Sequence, residues 1–199
     1  MTSLIPLIFL FSFPLCVNAY IPGTVPDFPA RQLAAGKLLI ASENINGGVF
    51  TKSVILLTHH NRHGTTGLII NRASELQVND AVPGLVKDGK ARRLFIGGPV
   101  EQAILSVLVK AKNEAEGLKR IMPGIYLDFR IGIGNADKYF SSDIEMVRFY
   151  SGYAGWGEGQ LETEIDSGAW YLLKGDAAIL FDDSPNTLWE KLLRKAQGK

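Results

Sequence analysis

Apolar residues in this chain come in short runs, each closed by glycine or by a polar or charged residue. The runs 36–41, 53–58, 67–71, 94–96, 103–109, 125–127, 147–150 and 169–173 are rich in Leu, Ile and Val and too short for ordinary helices. They predict strands, and the polar turn at 59–66 between two of them predicts an antiparallel pair. Helical signals are fewer. Asn79 is placed to cap a short helix through Val86, and 136–144 reads as another. Leu161 and Ile165 share one face of a helix over 160–167, ended by Gly168. Ser184 and Pro185 open a last helix as N-cap and first residue, with Leu188, Trp189, Leu192, Leu193 and Ala196 on its apolar face. Strands and helices mix without a strict βαβ alternation. The expected fold is therefore α+β: a single compact domain, with a mixed or antiparallel sheet and helices packed on it.

The first residues follow another pattern. Leu4 to Val17 is nearly all apolar, and no charge precedes Asp27. A comfortable transmembrane helix needs about 20 apolar residues, and Pro6 and Pro14 interrupt this stretch. Val17-Asn18-Ala19 places small residues where cleavage after Ala19 requires them. The expectation is a signal peptide over 1–19, an extended proline-rich lead-in over 20–32 and the domain over 33–199. The domain would then be exported, periplasmic or secreted, with no stable membrane span in the mature chain. If the signal reading fails, the chain is cytoplasmic. Cys16 is the only cysteine, and Phe13-Pro14-Leu15 before it does not make a lipobox. Cleavage removes Cys16, which takes thiol catalysis and disulfides away from the mature protein.

Lys and Arg number 21 against 20 Asp and Glu, a formal net charge of +1. Bulk electrostatics therefore gives no case for nucleic acid or an anionic membrane. The basic runs 87–93 and 110–120 are interrupted by Asp88, Glu114 and Glu116 and read as solvated faces. Walker A, G-x-S-x-G and S-x-x-K patterns are absent, and Gly132-Ile133-Gly134 has Asp137 where a dinucleotide fingerprint needs glycine. His59, His60 and His63 are the only histidines. Without a third-ligand pattern they read as a solvated hairpin tip, and no metal or cofactor is expected.

Gly152-Tyr153-Ala154-Gly155-Trp156-Gly157-Glu158-Gly159-Gln160-Leu161-Glu162 is the most unusual segment. As a glycine-rich loop it either presents main-chain N–H groups to a ligand or folds its aromatics back on the core. Glu158, Glu162, Glu164 and Asp166 cluster locally, with Glu162 and Asp166 on one helix face. Arg72 and Arg148 lie in or beside strands, where a guanidinium usually takes a carboxylate partner. Glu162 or Glu164 is the expected one.

Taken in order, Gly36-Lys37-Leu38-Leu39-Ile40-Ala41, Ser53-Val54-Ile55-Leu56-Leu57, Gly64-x-x-Gly67-Leu68-Ile69-Ile70-Asn71-Arg72, Gly97-Gly98-Pro99-Val100 and the segment from Gly152 through Glu164-Ile165 resemble the YqgE/AlgH family. Trp170, Phe181 and Trp189 stand in family-like positions, and His60 matches a family histidine. The resemblance runs from about Leu33 to the C-terminal helix. It implies a single compact α+β domain and no particular reaction, while a transcription-regulator label on the family implies regulation. This chain departs in its candidate signal peptide, in its cysteine-free mature part, and near Val109, where a family histidine is replaced.

Three functional readings follow. The favoured one is a non-enzymatic exported domain that binds or regulates through a protein or small-molecule ligand. Its candidate contacts are Asn71, Arg72, Gly98, Pro99, Tyr153, Trp156, Gln160 and Glu162. Arg72 and Glu162 would orient polar groups, while Tyr153 and Trp156 supply apolar area. The second is an acid–base hydrolase with Glu162 or Glu158 as base and Arg72 as anion stabiliser. The third is a transcriptional regulator, which needs salt-dependent DNA binding.

Overall fold

The computed structural model describes residues 33–129, 131 and 133–198. The expected signal peptide, Cys16 and the lead-in lie outside these residues. Strands β1 (Lys37–Ala41), β2 (Val54–Asn61) and β3 (Gly64–Ile69) follow one another as antiparallel neighbours. Then come β4 (Ala73–Gln77), helix α1 (Val78–Ala81), β5 (Arg93–Ile96) and the long β6 (Val100–Ala111). A hairpin of β7 (Lys119–Met122) and β8 (Ile125–Phe129) leads to a 3-10 segment (Ile133–Phe140) and to β9 (Ile144–Trp156). The chain closes with α2 (Gln160–Asp166), β10 (Trp170–Lys174), α3 (Ala177–Leu180) and α4 (Pro185–Ala196).

The strands join in the order β10-β1-β2-β3-β9-β6-β8-β7, with β5 attached to β9 and β4 to β5. Only the β5–β9 pairing is parallel among those described. This is the single α+β domain that the short apolar runs predict. The sheet curls back on itself. A Cβ on Gly36, just before β1, would sit 3.3 Å from the Ile121 carbonyl oxygen of β7.

β9 holds the molecule together. Its first part lies between β6 and β5, whereas Ala154 to Trp156 pairs with β3. The change of partner falls at Gly152, in left-handed backbone at φ +68°. Gly97 and Gly98 cross β9 at this point. A Cβ on Gly97 would lie 2.3 Å from the Gly152 oxygen, and one on Gly98 would lie 2.1 Å from the Tyr153 carbonyl carbon. Two backbones touch here, so Gly97, Gly98 and Gly152 have no room for a side chain. The expectation of a loop at 152–156 is thereby corrected: these glycines serve a strand crossing, not a turn.

Two apolar layers use opposite faces of β6 and β9, as the two-residue period of a strand requires. Tyr150 and Leu108 face the larger layer, with β1 to β3 and the predicted face of α4. Phe149, Val107 and Val109 face the smaller one, beneath Ala136 and Tyr139 of the 3-10 segment. Tyr139 donates its hydroxyl to Asp128 Oδ2 at 2.7 Å. Burial, and then the Asp128 carboxylate, hold that phenol far above its ordinary pKa.

Three local expectations change. α1 stops at Ala81 rather than reaching Val86, because Pro83 lacks a donor and Gly84 sits at φ +80°. Asn79 does not cap a helix; its amide bonds both the nitrogen and the oxygen of Val86, at 2.8 and 2.9 Å. The helix expected over 136–144 is the 3-10 segment, displaced toward the N-terminus. Arg148 pairs with no carboxylate among the described residues. Its guanidinium lies 4.4 Å from the Phe95 ring centroid and donates to the Leu180 and Asp182 carbonyls at 3.0 and 3.1 Å. Carbonyls at the end of a helix lack intrahelical donors, and the guanidinium fork supplies them.

Candidate functional site

The last residues of β9 and the β2–β3 hairpin set up two faces. His60, Thr65 and Trp156 stand opposite one another across the three strands; His59, Thr66 and Gly155 form the next row. Opposed residues share a face and successive rows alternate. The first row faces inward, with Thr65 3% and Trp156 5% exposed.

A carboxylate organises the inner face. Glu164 Oε2 accepts the indole N–H of Trp156 at 2.9 Å and that of Trp170 at 2.8 Å. Its other oxygen accepts from Gln160 Nε2 at 2.9 Å, and Gln160 Oε1 accepts from the Gly157 N–H at 3.0 Å. One side chain thus ties the end of β9, the start of α2 and β10. Gln160 and Glu164 meet because they are four residues apart on α2. Phe50 packs on both indoles, with ring centroids at 6.0 Å from Trp156 and 5.8 Å from Trp170.

Arg72 and Asn71 hold Phe50 in place. Arg72 donates to the carbonyls on either side of Phe50, those of Val49 at 2.5 Å and Thr51 at 3.3 Å. Asn71 accepts from the Val54 N–H and donates to the Lys52 carbonyl, both at 2.9 Å. The carboxylate partner expected for Arg72 is therefore replaced by two backbone carbonyls. Burial lowers the Arg72 pKa from its ordinary value. A lysine has no planar fork and cannot span both carbonyls. Arg72→Lys is expected to cost about 1–2 kcal/mol and to speed amide exchange across 43–53. Thermal denaturation with hydrogen exchange checks this; unchanged exchange in that loop would contradict it.

The outer face carries an open groove of about 440 Å³. His59, Asn61, His63 and Thr66 come from the hairpin, and Val100, Tyr153 and Gly155 from the facing side. Gly155 leaves the floor low, and Phe129 meets the Tyr153 ring edge-on at a centroid distance of 5.4 Å. The polar stretch at 59–66 is not one turn. β2 runs to Asn61 and β3 starts at Gly64, so Arg62 and His63 alone connect them. Gly64 permits this closure: at φ +143°, a Cβ there would lie 2.5 Å from the Trp156 carbonyl oxygen.

The candidate contacts named from sequence scatter around this groove. Tyr153 lines it, and Trp156 borders it while its indole stays buried in the clamp. Gly98, followed by Pro99, lies at the crossing behind Tyr153. Gln160 and Glu162 sit on α2, where Glu162 Oε1 approaches His60 Nε2 at 3.9 Å and His60 Nδ1 lies 2.8 Å from Thr65 Oγ1. Asn71 bonds the start of β2, whereas the groove lies at its end. At about 3.3 Å per residue that is roughly 20 Å away. His59, Asn61, His63 and Thr66 were not among the candidates. The sequence carries no local signal for them, because 58–66 is polar or Gly throughout and only the strand pairing shows which of these side chains face outward. Among the described residues no three His, Cys, Asp or Glu side chains gather as metal ligands, and no helix is long and apolar enough to cross a membrane.

Residues 38–199 match a family model described as AlgH-like. A UPF0301 protein of Chlorobium luteolum is 34% identical over 176 residues, covering 85% of this chain and 89% of the relative. A UPF0301 protein of Chlamydia muridarum is 35% identical over 173 residues, covering 86% and 90%. Among solved structures, protein DIP2367 of Corynebacterium diphtheriae superposes with a TM-score of 0.70 at 25% identity, over 82% of this chain and 87% of that one. The AlgH protein of Pseudomonas aeruginosa, solved in solution, gives a TM-score of 0.67 at 25% identity, over 90% and 94%.

Proposed function

The chain belongs to the AlgH-like family, and we propose that it works as an exported binding module whose ligand, a small molecule or a protein segment, sits in the outer groove. One observation carries this. The last residues of β9 divide their work, Trp156 serving the inner clamp while Tyr153 and Gly155 face an open surface with polar side chains from the hairpin. A binding surface of this kind needs a rigid floor, and the clamp beneath it provides one.

The hydrolase reading has one supporting contact, the approach of Glu162 to His60. Among the described residues none lining the groove is a carboxylate, and Glu164 is engaged by three donors. Regulation through DNA has a weak basis in a net charge of +1.

Nuclear magnetic resonance titration of the protein with a panel of organic anions, sugars and short peptides tests the groove. Members that bind should shift the amides of His59, Asn61, Tyr153 and Gly155. Shifts confined to residues away from the groove would refute its role. Export is supported by the apolar stretch before Ala19. Fractionation with N-terminal sequencing should find a chain starting at Tyr20 outside the cytoplasm. An intact chain in the cytoplasm would refute export and return weight to the regulator reading.

A further inference from the structure

We infer that the groove takes an organic anion, a carboxylate or phosphate group carrying a flat apolar part; this rests on the groove being the binding surface. The chemistry of the hairpin tip leads there. The Asn61 side-chain oxygen accepts the backbone N–H of His63 at 2.9 Å. A backbone N–H can only donate, so the oxygen of that amide is fixed by it and the NH2 group is the end left for a ligand. His63 shows the same logic. Arg62 Nε donates to His63 Nε2 at 3.0 Å. A guanidinium has no acceptor, so Nε2 is the unprotonated nitrogen and the ring proton sits on Nδ1.

The acceptor atoms of both residues are thus turned into the turn itself, and donors remain. His59, exposed beside them, carries one ring N–H and one bare nitrogen in either tautomer, and its ring can turn the N–H toward an anion. The Thr66 hydroxyl is taken up by Thr58, 3.0 Å away. Arg62, exposed at the tip, adds a positive charge there. Among the described residues no Asp or Glu lines the groove. A neutral sugar needs acceptors for its hydroxyl protons, whereas an anion needs only donors. Across from the hairpin, Tyr153 braced by Phe129, together with Val100, forms an apolar wall that suits a flat group.

The test is a resonance titration of the full chain with phenyl phosphate and, separately, with the neutral phenyl β-glucoside. Phenyl phosphate should shift the amides of Asn61, His63 and Tyr153 and bind at least tenfold more tightly than the glucoside. Asn61→Asp keeps the oxygen that accepts from His63 and replaces the NH2 donor with negative charge. It should weaken phenyl phosphate at least tenfold while the turn amides stay in place. His59→Gln, which touches no turn contact, should weaken it by a smaller factor. Equal or tighter binding of the glucoside at the same residues overturns the anion assignment and leaves the groove standing. Undiminished phenyl phosphate binding to Asn61→Asp overturns it too, as does the absence of phenyl phosphate binding. Shifts confined to residues outside the groove overturn both the anion assignment and the groove reading.

Discussion

Glu164→Ala is expected to lower the melting temperature by about 6–12 °C. The change leaves two indole N–H groups, on the buried Trp156 and Trp170, with no acceptor. An orphaned buried donor costs about 1–3 kcal/mol, and because half-buried Glu164 leaves a space that water can enter, each indole falls in the lower half of that range, about 1.5 kcal/mol. A total near 3 kcal/mol converts at roughly 2–4 °C per kcal/mol for a domain of this size. Glu164→Gln should fall between. Its single oxygen can serve both indoles, but its NH2 group then faces the Gln160 NH2. Turning Gln160 to relieve that clash takes the acceptor away from the Gly157 N–H. A differential scan of the three proteins measures the series. A wild-type melting temperature for the alanine variant would mean that the indoles find other acceptors and that the clamp contributes nothing.

Gly98→Ala should be more damaging still and leave no native fold. The new methyl would lie 2.1 Å from the Tyr153 carbonyl carbon, 2.2 Å from its oxygen and 2.4 Å from the Ala154 nitrogen. All three are backbone atoms of β9, which cannot swing aside as the end of a side chain can. β9 is also held by β3, β5 and β6, so any retreat breaks pairings on both sides. The cost should exceed about 4 kcal/mol, a large part of an ordinary domain's stability. Gly168→Ala is the matched control. Its φ is +77°, but nothing lies within 4 Å of the added methyl, so only the left-handed backbone is penalised, by about 1–2 kcal/mol. Far-ultraviolet circular dichroism of the pair separates the two. A folded Gly98→Ala variant melting like the wild type would show that the crossing is looser than its geometry.

The elements most legible in the sequence were those set by local chemistry. α4 carries its own start in Ser184 and Pro185 and its own apolar face, and it occupies 185–196 with that face buried. Gly168 follows α2 in left-handed backbone, as a helix-ending glycine should. The short strands β4 and β7 and the helix α3 were missed because their residues are polar or few. At 152–156 the error had a different origin. Glycine usually marks a turn, and nothing local distinguishes a glycine that bends a chain from one that lets another backbone pass. That distinction depends on Gly97 and Gly98, more than fifty residues earlier.

The same non-locality governed the site. Arg72 and Arg148 were matched to carboxylates by charge, but each meets carbonyls that only folding leaves without partners. The acidic cluster near α2 was legible as a group of charges. That Glu164 would hold two tryptophans could not be read from it, because Trp170 arrives through the β10–β1 pairing. Tyr153 and Trp156 were singled out together as apolar contacts. Alternation along β9 sends them to opposite faces, which gives the first to the groove and the second to the clamp.

Hydrogen exchange at the indole N–H groups tests this division most directly. Slow exchange is expected for Trp156 and Trp170, bonded to Glu164, and for Trp189, bonded to the Ala41 carbonyl at 2.8 Å. In Glu164→Gln, Trp189 should stay protected while Trp156 and Trp170 exchange faster. Rapid exchange of Trp156 in the wild-type protein would contradict the account, placing that side chain on an open surface and the clamp nowhere.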